Sequence, residues 1–244
     1  MTSLNAFLVF FFIANHAFFT KVDGEKSLVP ALYIFGDSGF DNGNNNNLNT
    51  IAKVNKYPYG IDFNNQSTGR FTNGKTYVDL IAIKLGLPLS PPYLGLSESE
   101  GYQTLYDLGA RKFLVGSVNQ LGCSPRLFCN ETMNQIVKPY PEKLQTKTQQ
   151  LQKQLQGSIF VSTNSFNFFT KLKNAPKKYG FTNISKPCYE EGISLCSNRK
   201  EYYFWDKHGH TTEAALKIYA DESFSGSKLC FPINIKKLAL ANLR

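Results

Sequence analysis

The sequence lacks several features that would assign it at once to a class of protein. It has no internal repeat, no Cys-x-x-Cys pair, no cluster of histidines and, beyond its first 20 residues, no apolar run long enough to span a bilayer. Glycine and proline number only 18 and 11 among 244 residues. These absences argue against zinc-binding, redox, collagen-like, disordered and membrane-spanning proteins. What is left is a globular domain long enough to bury a core.

Acidic residues are scarce relative to basic ones: 18 Asp and Glu stand against 27 Lys and Arg, a formal net charge of +9. This balance keeps anionic polysaccharides, acidic membranes and nucleic acids open as partners. The lysines at 171, 173, 177 and 178 are interpreted as a solvated loop, although a cell-wall polysaccharide or a protein complex is an alternative. Because basic and aromatic residues are not interleaved, we expect no nucleic-acid partner.

The first residues have the layout of a secretory signal peptide. An apolar core at 6–14 is followed by a polar stretch, with cleavage expected near Gly24. We therefore expect residues 1–24 to be removed and residues 25–244 to form a single domain outside the cell. In a secreted chain, the sequons at Asn65, Asn130 and Asn183 predict glycosylation.

The cysteines are absent from the first half of the chain. Close spacing makes Cys123 with Cys129 and Cys188 with Cys196 the easiest loops to close by disulfides, which leaves Cys230 without a partner. For Cys230 a free thiol, an intermolecular bond and a partner outside this chain all stay open.

Hydrophobic spacing predicts strands that alternate with helices. Short apolar runs predict strands at 31–35, 112–118 and 158–163. Helical spacing predicts helices at 77–85, with Asn73 as a candidate cap, around Leu105 and Leu108, at 141–155 and at 211–221. In the helix that Pro141 opens, the buried stripe is expected to be Leu144, Thr148, Leu151 and Leu155. This order argues for an α/β layered fold with a parallel sheet.

The end of the first predicted strand carries a candidate nucleophile, Ser38, in the sequence Phe-Gly-Asp-Ser. A serine at the tip of a strand exposes its hydroxyl at the sheet edge, and its own backbone N–H can serve an oxyanion. The surroundings are not those of the Gly-x-Ser-x-Gly elbow, because position 40 is Phe. On the residues alone, an ordinary polar turn is the alternative.

A serine nucleophile needs a base, and histidine occurs only three times. His16 lies in the predicted signal peptide, which leaves His208 and His210 in a loop before the last predicted helix. Asp206, slightly upstream, can orient an imidazole, so that Ser38, Asp206 and one of these histidines would form a triad. A surface histidine is the simpler alternative.

At these residues the chain resembles the plant GDSL esterases and lipases of the SGNH hydrolase superfamily. The resemblance rests on blocks spread along the chain: 35–38, 41–45, 69–75 with 79–80, 86–88, 91–94, 105–112, 121–125, 179–181 and 204–206. The tail at 224–238 resembles the myrosinase-associated branch of that family.

The resemblance implies a flavodoxin-like three-layer α/β/α fold and hydrolysis of acyl esters through an acyl-enzyme, without cofactor or metal. It assigns Ser38 as nucleophile, its N–H as an oxyanion donor, His210 as base and Asp206 as its partner. In the family the aspartate stands three residues before the histidine, whereas here the spacing is four. This extra residue lies between the two partners of the expected hydrogen bond, the Asp206 carboxylate and the His210 imidazole.

The chain also departs from the family between residues 95 and 101. The family's glycine block and its Gly-x-Asn-Asp block, which complete the oxyanion hole, do not occur here. Gly116 to Asn119 belongs to another block and does not replace them. Each lost oxyanion donor typically costs a hundred- to a thousandfold in rate. The central strands that precede these blocks would be missing too, leaving an incomplete sheet.

Three functions follow. The first is a GDSL esterase-like secreted protein that is inactive or severely impaired, which the missing blocks favour. The second is an active secreted acyl-ester hydrolase of lipid metabolism. The third is a basic protein that binds the cell wall or a protein complex without catalysis.

Overall fold

The computed structural model describes residues 27–90, 92, 106 and 109–242. The predicted signal peptide, the helix expected around Leu105 and Leu108, and the junction at 95–101 all lie outside the described residues. The fold below therefore concerns the remainder of the chain.

Helices and short strands alternate along the described chain. The helices are α1 (Tyr77–Lys84), α2 (Glu131–Val137), α3 (Tyr140–Gln154), α4 (Ser165–Asn174), α5 (Glu213–Ser225) and α6 (Ile235–Leu240). The strands are β1 (Lys112–Val115), β2 (Ile159–Thr163), β3 (Asn183–Glu190), β4 (Ser194–Leu195), β5 (Tyr202–Asp206) and β6 (Cys230–Phe231).

These strands form two small sheets. In the first, of order β1-β2-β6, β1 runs parallel to β2 and β6 runs antiparallel to it. In the second, of order β4-β3-β5, β3 is parallel to β5 and antiparallel to β4, which follows it after a short turn. The α/β class and the incomplete sheet are confirmed, whereas each sheet adds an antiparallel edge strand to the parallel pairing expected from the sequence.

The strand predicted at 31–35 is wrong. This segment is irregular, and Tyr33 and Phe35 are 79% and 55% exposed. Among the described residues, no backbone hydrogen bond pairs it with a strand. An apolar run becomes a strand only where a neighbour completes the ladder, so its composition alone was not sufficient.

Several elements were not predicted, each because its local sequence is ambiguous. Strand β3 contains Pro187, which normally argues against a strand interior, and its register shifts before that residue. Helix α4 contains three Phe and two Asn among its ten residues, and both types are modest helix formers. Because α4 includes Lys171 and Lys173, and Lys177 and Lys178 lie in a 3-10 turn, the predicted loop is wrong. The expected solvation is confirmed for Lys171, Lys177 and Lys178, which are exposed.

The predicted helices occur with altered boundaries. Helix α1 is capped not by Asn73 but by Thr76, whose hydroxyl accepts from the Asp79 N–H while the Asp79 carboxylate accepts from the Thr76 N–H. The last predicted helix begins at Glu213, with Thr212 as its cap. In α3, Thr148 is buried, and Leu144 and Leu151 pack with buried Leu155, which confirms the stripe.

Cysteines close two short loops. Disulfides join Cys123 to Cys129 and Cys188 to Cys196. Within the described part of the chain, Cys230 of β6 is a free, half-buried thiol, and burial raises its pKa to about 12. It is therefore a neutral thiol at physiological pH. No helix in the described ranges combines the length and apolarity needed to cross a membrane.

A buried ion pair joins the first part of the chain to α1. The Arg70 guanidinium donates through Nε and Nη2 to the two oxygens of the Asp79 carboxylate, at 2.7 and 3.0 Å, and both side chains are buried. The Asn42 amide also donates to Asp79 at 3.2 Å, and its oxygen accepts from the Thr76 hydroxyl at 2.8 Å. Every oxygen of this buried carboxylate is thus satisfied, which is the condition for burying a charge.

Removing the arginine charge is expected to destabilise the fold strongly. Arg70→Met keeps most of the side-chain volume but leaves Asp79 buried and unpaired, which costs about 3–5 kcal/mol. The matched control is Arg199→Met, which breaks the solvent-accessible pair with Asp62 and should cost less than about 1 kcal/mol. Urea unfolding followed by tryptophan fluorescence measures both. Equal losses in the two variants would contradict the role assigned to the buried pair.

Candidate active site

Ser38 lies at the start of a one-turn 3-10 helix, Ser38–Phe40, that follows the irregular segment 31–35. Asp37 caps this turn, because its carboxylate accepts from the Gly39 N–H at 2.9 Å. The chain then passes into an asparagine-rich turn held by Asp41, whose carboxylate accepts the N–H groups of Gly43 and Asn44 at 2.8 and 2.6 Å. Carboxylates of the loop itself therefore hold its backbone.

His210 is brought back beside β5 by a tight turn. Asp206 ends β5, the chain reverses through Gly209 at φ 101°, and the Trp205 N–H donates to the His210 carbonyl at 2.7 Å. The positive φ at Gly209 is a conformation that glycine adopts without strain. This turn absorbs the four-residue spacing, so Asp206 and His210 face each other across it.

The three candidate residues form one line of hydrogen bonds. Ser38 Oγ lies 2.9 Å from His210 Nε2, and His210 Nδ1 lies 2.6 Å from Asp206 Oδ2. The His210 side chain is 19% exposed and that of Asp206 only 3%. The other candidate base, His208, is exposed and contributes only its backbone N–H, which donates to Asp206 Oδ1 at 2.9 Å. The structure thus brings together Ser38, His210 and Asp206, and leaves the His208 ring outside.

The Asp206 carboxylate is the most heavily hydrogen-bonded group of the site. Its Oδ1 accepts the N–H groups of His208 and His210, and its Oδ2 accepts from Tyr59 Oη at 2.8 Å as well as facing the His210 ring. Burial alone would raise the pKa of Asp206, but these hydrogen bonds and the histidine outweigh it and hold the pKa below its usual value. Asp206 is therefore ionised at neutral pH and can stabilise an imidazolium.

The segment after Gly69 holds the histidine loop from the other side. The Phe71 ring lies 4.9 Å from the His210 ring, and Thr72 Oγ1 donates to the Thr211 carbonyl at 2.9 Å. The Asn73 side chain accepts the Glu213 N–H at 2.9 Å. Sequence reasoning recognised this block but assigned it no role at the site. The sequence shows that this run is polar but not that it is buried, so no local signal identified its role.

Oxyanion donors are few in the described part of the chain. No described group accepts the Ser38 N–H, so it is free to donate, whereas the Gly39 N–H is engaged by Asp37. In the Gly116 to Asn119 block, the Ser117 N–H donates to Thr163 and the Asn119 amide donates to the Tyr203 hydroxyl. These groups already have hydrogen-bond partners, Thr163 and Tyr203, which supports the prediction that this block does not supply the family's missing donors.

The candidate glycosylation sites differ in exposure. Asn65 and Asn130 are exposed, and Asn183 at the start of β3 is half-buried. Asn130 also caps α2 through its side-chain oxygen, which accepts the Met133 N–H.

In the described ranges, no group of three or more His, Cys, Asp and Glu side chains is arranged to hold a metal ion.

The lowered pKa of Asp206 predicts a specific dependence of stability on pH. The folded protein binds the Asp206 proton less tightly than the unfolded chain does, so this stabilisation is complete above the unfolded pKa of about 3.9. It is lost as the pH falls through the lower folded pKa. The urea midpoint should therefore fall more steeply below about pH 4 in the unmodified chain than in Asp206→Asn. Parallel curves for the two proteins would contradict the assignment.

Comparison with known proteins gives one family match and a set of similar plant proteins. The family model described as GDSL-like Lipase/Acylhydrolase matches residues 96–223, more than half of the chain and a stretch that includes Asp206 and His210. GDSL esterase/lipase At1g71691 of Arabidopsis thaliana is 28% identical and covers 88% of this chain and 87% of its own length. GDSL esterase/lipase At1g71250 of the same plant is 26% identical, with 88% and 90% covered.

These alignments extend over 337 and 338 positions, more than the 244 residues of the chain. The relatives therefore contain stretches that have no counterpart here, as the missing blocks predict. The resemblance to the myrosinase-associated branch stays a prediction. Because the family model matches more than half of the chain and similar plant proteins cover 88% of it, the chain belongs to the GDSL-like lipase/acylhydrolase family.

Proposed function

We propose that this protein is a severely impaired carboxylic-ester hydrolase that works through Ser38, His210 and Asp206. One observation carries the proposal: the unbroken line of hydrogen bonds from Ser38 Oγ through the imidazole to the buried, ionised Asp206 carboxylate. Membership of an esterase and lipase family supports the choice of reaction. The acyl ester is the substrate class, and its acyl and alcohol parts are not specified by the described residues.

In the proposed reaction, Ser38 Oγ attacks the ester carbonyl carbon as its proton passes to His210 Nε2. The resulting oxyanion accepts a hydrogen bond from the Ser38 N–H, and Asp206 stabilises the imidazolium. Collapse of this intermediate expels the alcohol, which takes the proton from Nε2. A water molecule then attacks the acyl-enzyme with His210 again as base, and releases the carboxylic acid and free Ser38.

The impairment is proposed from the supply of oxyanion donors. The Ser38 N–H is the one donor assigned to the site, because the neighbouring Gly39 N–H is held by Asp37 and the family's two further blocks do not occur in the sequence. A missing donor typically costs a hundred- to a thousandfold in rate. Turnover should therefore be easiest for activated esters, whose leaving group needs the least help.

Hydrolysis of p-nitrophenyl acetate tests the proposal. We expect slow turnover that falls to the buffer rate in Ser38→Ala and in His210→Ala, because members of a triad act as a unit. The matched control is Ser227→Ala, an exposed serine far along the chain, which should keep the full rate. A fluorophosphonate reagent should label the unmodified protein but not Ser38→Ala. If the unmodified protein and Ser38→Ala hydrolyse the ester equally, the chain is a non-catalytic homologue.

We also propose that the protein is a secreted glycoprotein, with residues 1–24 removed as a signal peptide. The two disulfides suit an oxidising compartment. Within the described residues, the side-chain nitrogens of Asn65, Asn130 and Asn183 donate no hydrogen bond, so they are open to a glycan. We propose residues 25–244 as a single, shortened GDSL domain.

Expression in plant cells tests the secretion proposal. We expect the protein in the medium, with an N-terminus near residue 25 and a mass that falls after enzymatic removal of N-glycans. Asn65→Gln, Asn130→Gln and Asn183→Gln should each remove one glycan from the mass spectrum. Retention inside the cell with an intact N-terminus would contradict the proposal.

A further inference from the structure

We propose that Tyr59 is a positioning residue that holds the Asp206 carboxylate toward His210. The geometry points to it because Tyr59 Oη lies 2.8 Å from Asp206 Oδ2, the same oxygen that faces His210 Nδ1 at 2.6 Å. Among the described contacts of Tyr59 none is with Ser38, so it would act only through the aspartate. The kinetic part of this inference rests on the proposed ester hydrolysis.

The Tyr59 side chain is itself held rigidly. It is buried, and its ring packs edge-on against Tyr189 and Trp205 with centroids 5.7 and 6.0 Å apart. Its backbone is tied as well, because the Tyr59 carbonyl accepts from the Ser67 hydroxyl at 2.9 Å. Burial and the adjacent Asp206 raise the pKa of the phenol far above its usual value. Tyr59 is therefore a fixed, permanently protonated donor.

The Tyr59 hydroxyl is one of only two described donors to Asp206 Oδ2. Its Oδ1 is occupied by the backbone N–H groups of the turn, at 2.9 Å from His208 and 3.3 Å from His210. Without Tyr59, Oδ2 would have the imidazole as its one remaining donor among the described residues. The carboxylate could then rotate about its Cβ–Cγ bond away from Nδ1. The phenol opposes this rotation, so the longer Asp206 to His210 spacing still gives a 2.6 Å contact.

A purely structural role for Tyr59 makes a different prediction. Tyr189 offers the comparison, because its ring also packs on Trp205, at 5.6 Å, but no described group is hydrogen-bonded to its hydroxyl. If Tyr59 serves only to fill the core, Tyr59→Phe and Tyr189→Phe should have the same small effect. If the phenol positions Asp206, only Tyr59→Phe should change the site.

The kinetic test compares Tyr59→Phe with Tyr189→Phe in p-nitrophenyl acetate hydrolysis. We expect kcat to fall by about ten- to a hundredfold in Tyr59→Phe, the size of one hydrogen bond to a charged group, with KM changed less than twofold. Tyr189→Phe should keep its kcat within twofold. Equal losses in both variants, or a change in KM alone, would overturn the inference.

A second measurement does not need activity. Proton NMR of the imidazole reports how fast the His210 Nδ1 proton exchanges with water, and this exchange should speed up severalfold in Tyr59→Phe but not in Tyr189→Phe. If the unmodified protein shows no Ser38-dependent hydrolysis, the proposed function fails and this measurement still decides the role of Tyr59. An unchanged exchange rate in Tyr59→Phe would overturn it.

Site-specific 3-fluorotyrosine at position 59 covers the case in which Tyr59→Phe does not fold. Fluorine makes the phenol more acidic and a stronger donor while keeping the ring. The Asp206 carboxylate should be held more firmly, so the His210 Nδ1 proton should exchange more slowly. The same substitution at Tyr189 is the control, and no slowing at position 59 would overturn the inference.

Discussion

The buried Asp79 carboxylate is the constraint on which the site depends. A charge without access to water must be paired and fully hydrogen-bonded, and Asp79 meets this condition with Arg70, Asn42 and the start of α1. Asn42 closely follows Ser38, and Arg70 immediately precedes the residues that contact the histidine loop. One buried pair therefore ties the segment of Ser38 to the segment that contacts the His210 loop.

The two halves of the site are supported in different ways. Asp206 ends a buried strand, and the His210 backbone returns along that strand, so a sheet positions both side chains. Ser38 follows a segment without strand pairing, and its turn is held by Asp37 and Asp41 instead. Ser38 is thus held by carboxylates of its own loop and not by a neighbouring strand.

The candidate site residues could be predicted from motif and chain order. The local fold could be predicted only where a segment carries a clear apolar pattern and also finds the partner that this pattern needs. Helices α1 and α3 have apolar stripes and end signals, and β1 and β2 are apolar runs that pair with each other. The segment at 31–35 has equal strand propensity but no described partner, so it stays irregular. Strand β3 forms in spite of Pro187 because β5 and β4 lie on either side of it.

The sequence by itself determined the residue types of the site and their order: a serine after Phe-Gly-Asp, an aspartate, and a histidine before a helix. The family resemblance had assigned His210 and not His208, but only the tertiary structure shows the contact itself: a turn through Gly209 places the His210 imidazole against Ser38 and leaves the His208 ring in solvent. It also brought in Tyr59, 147 positions from Asp206. Contacts across such distances depend on how segments pack together, and no local pattern encodes them.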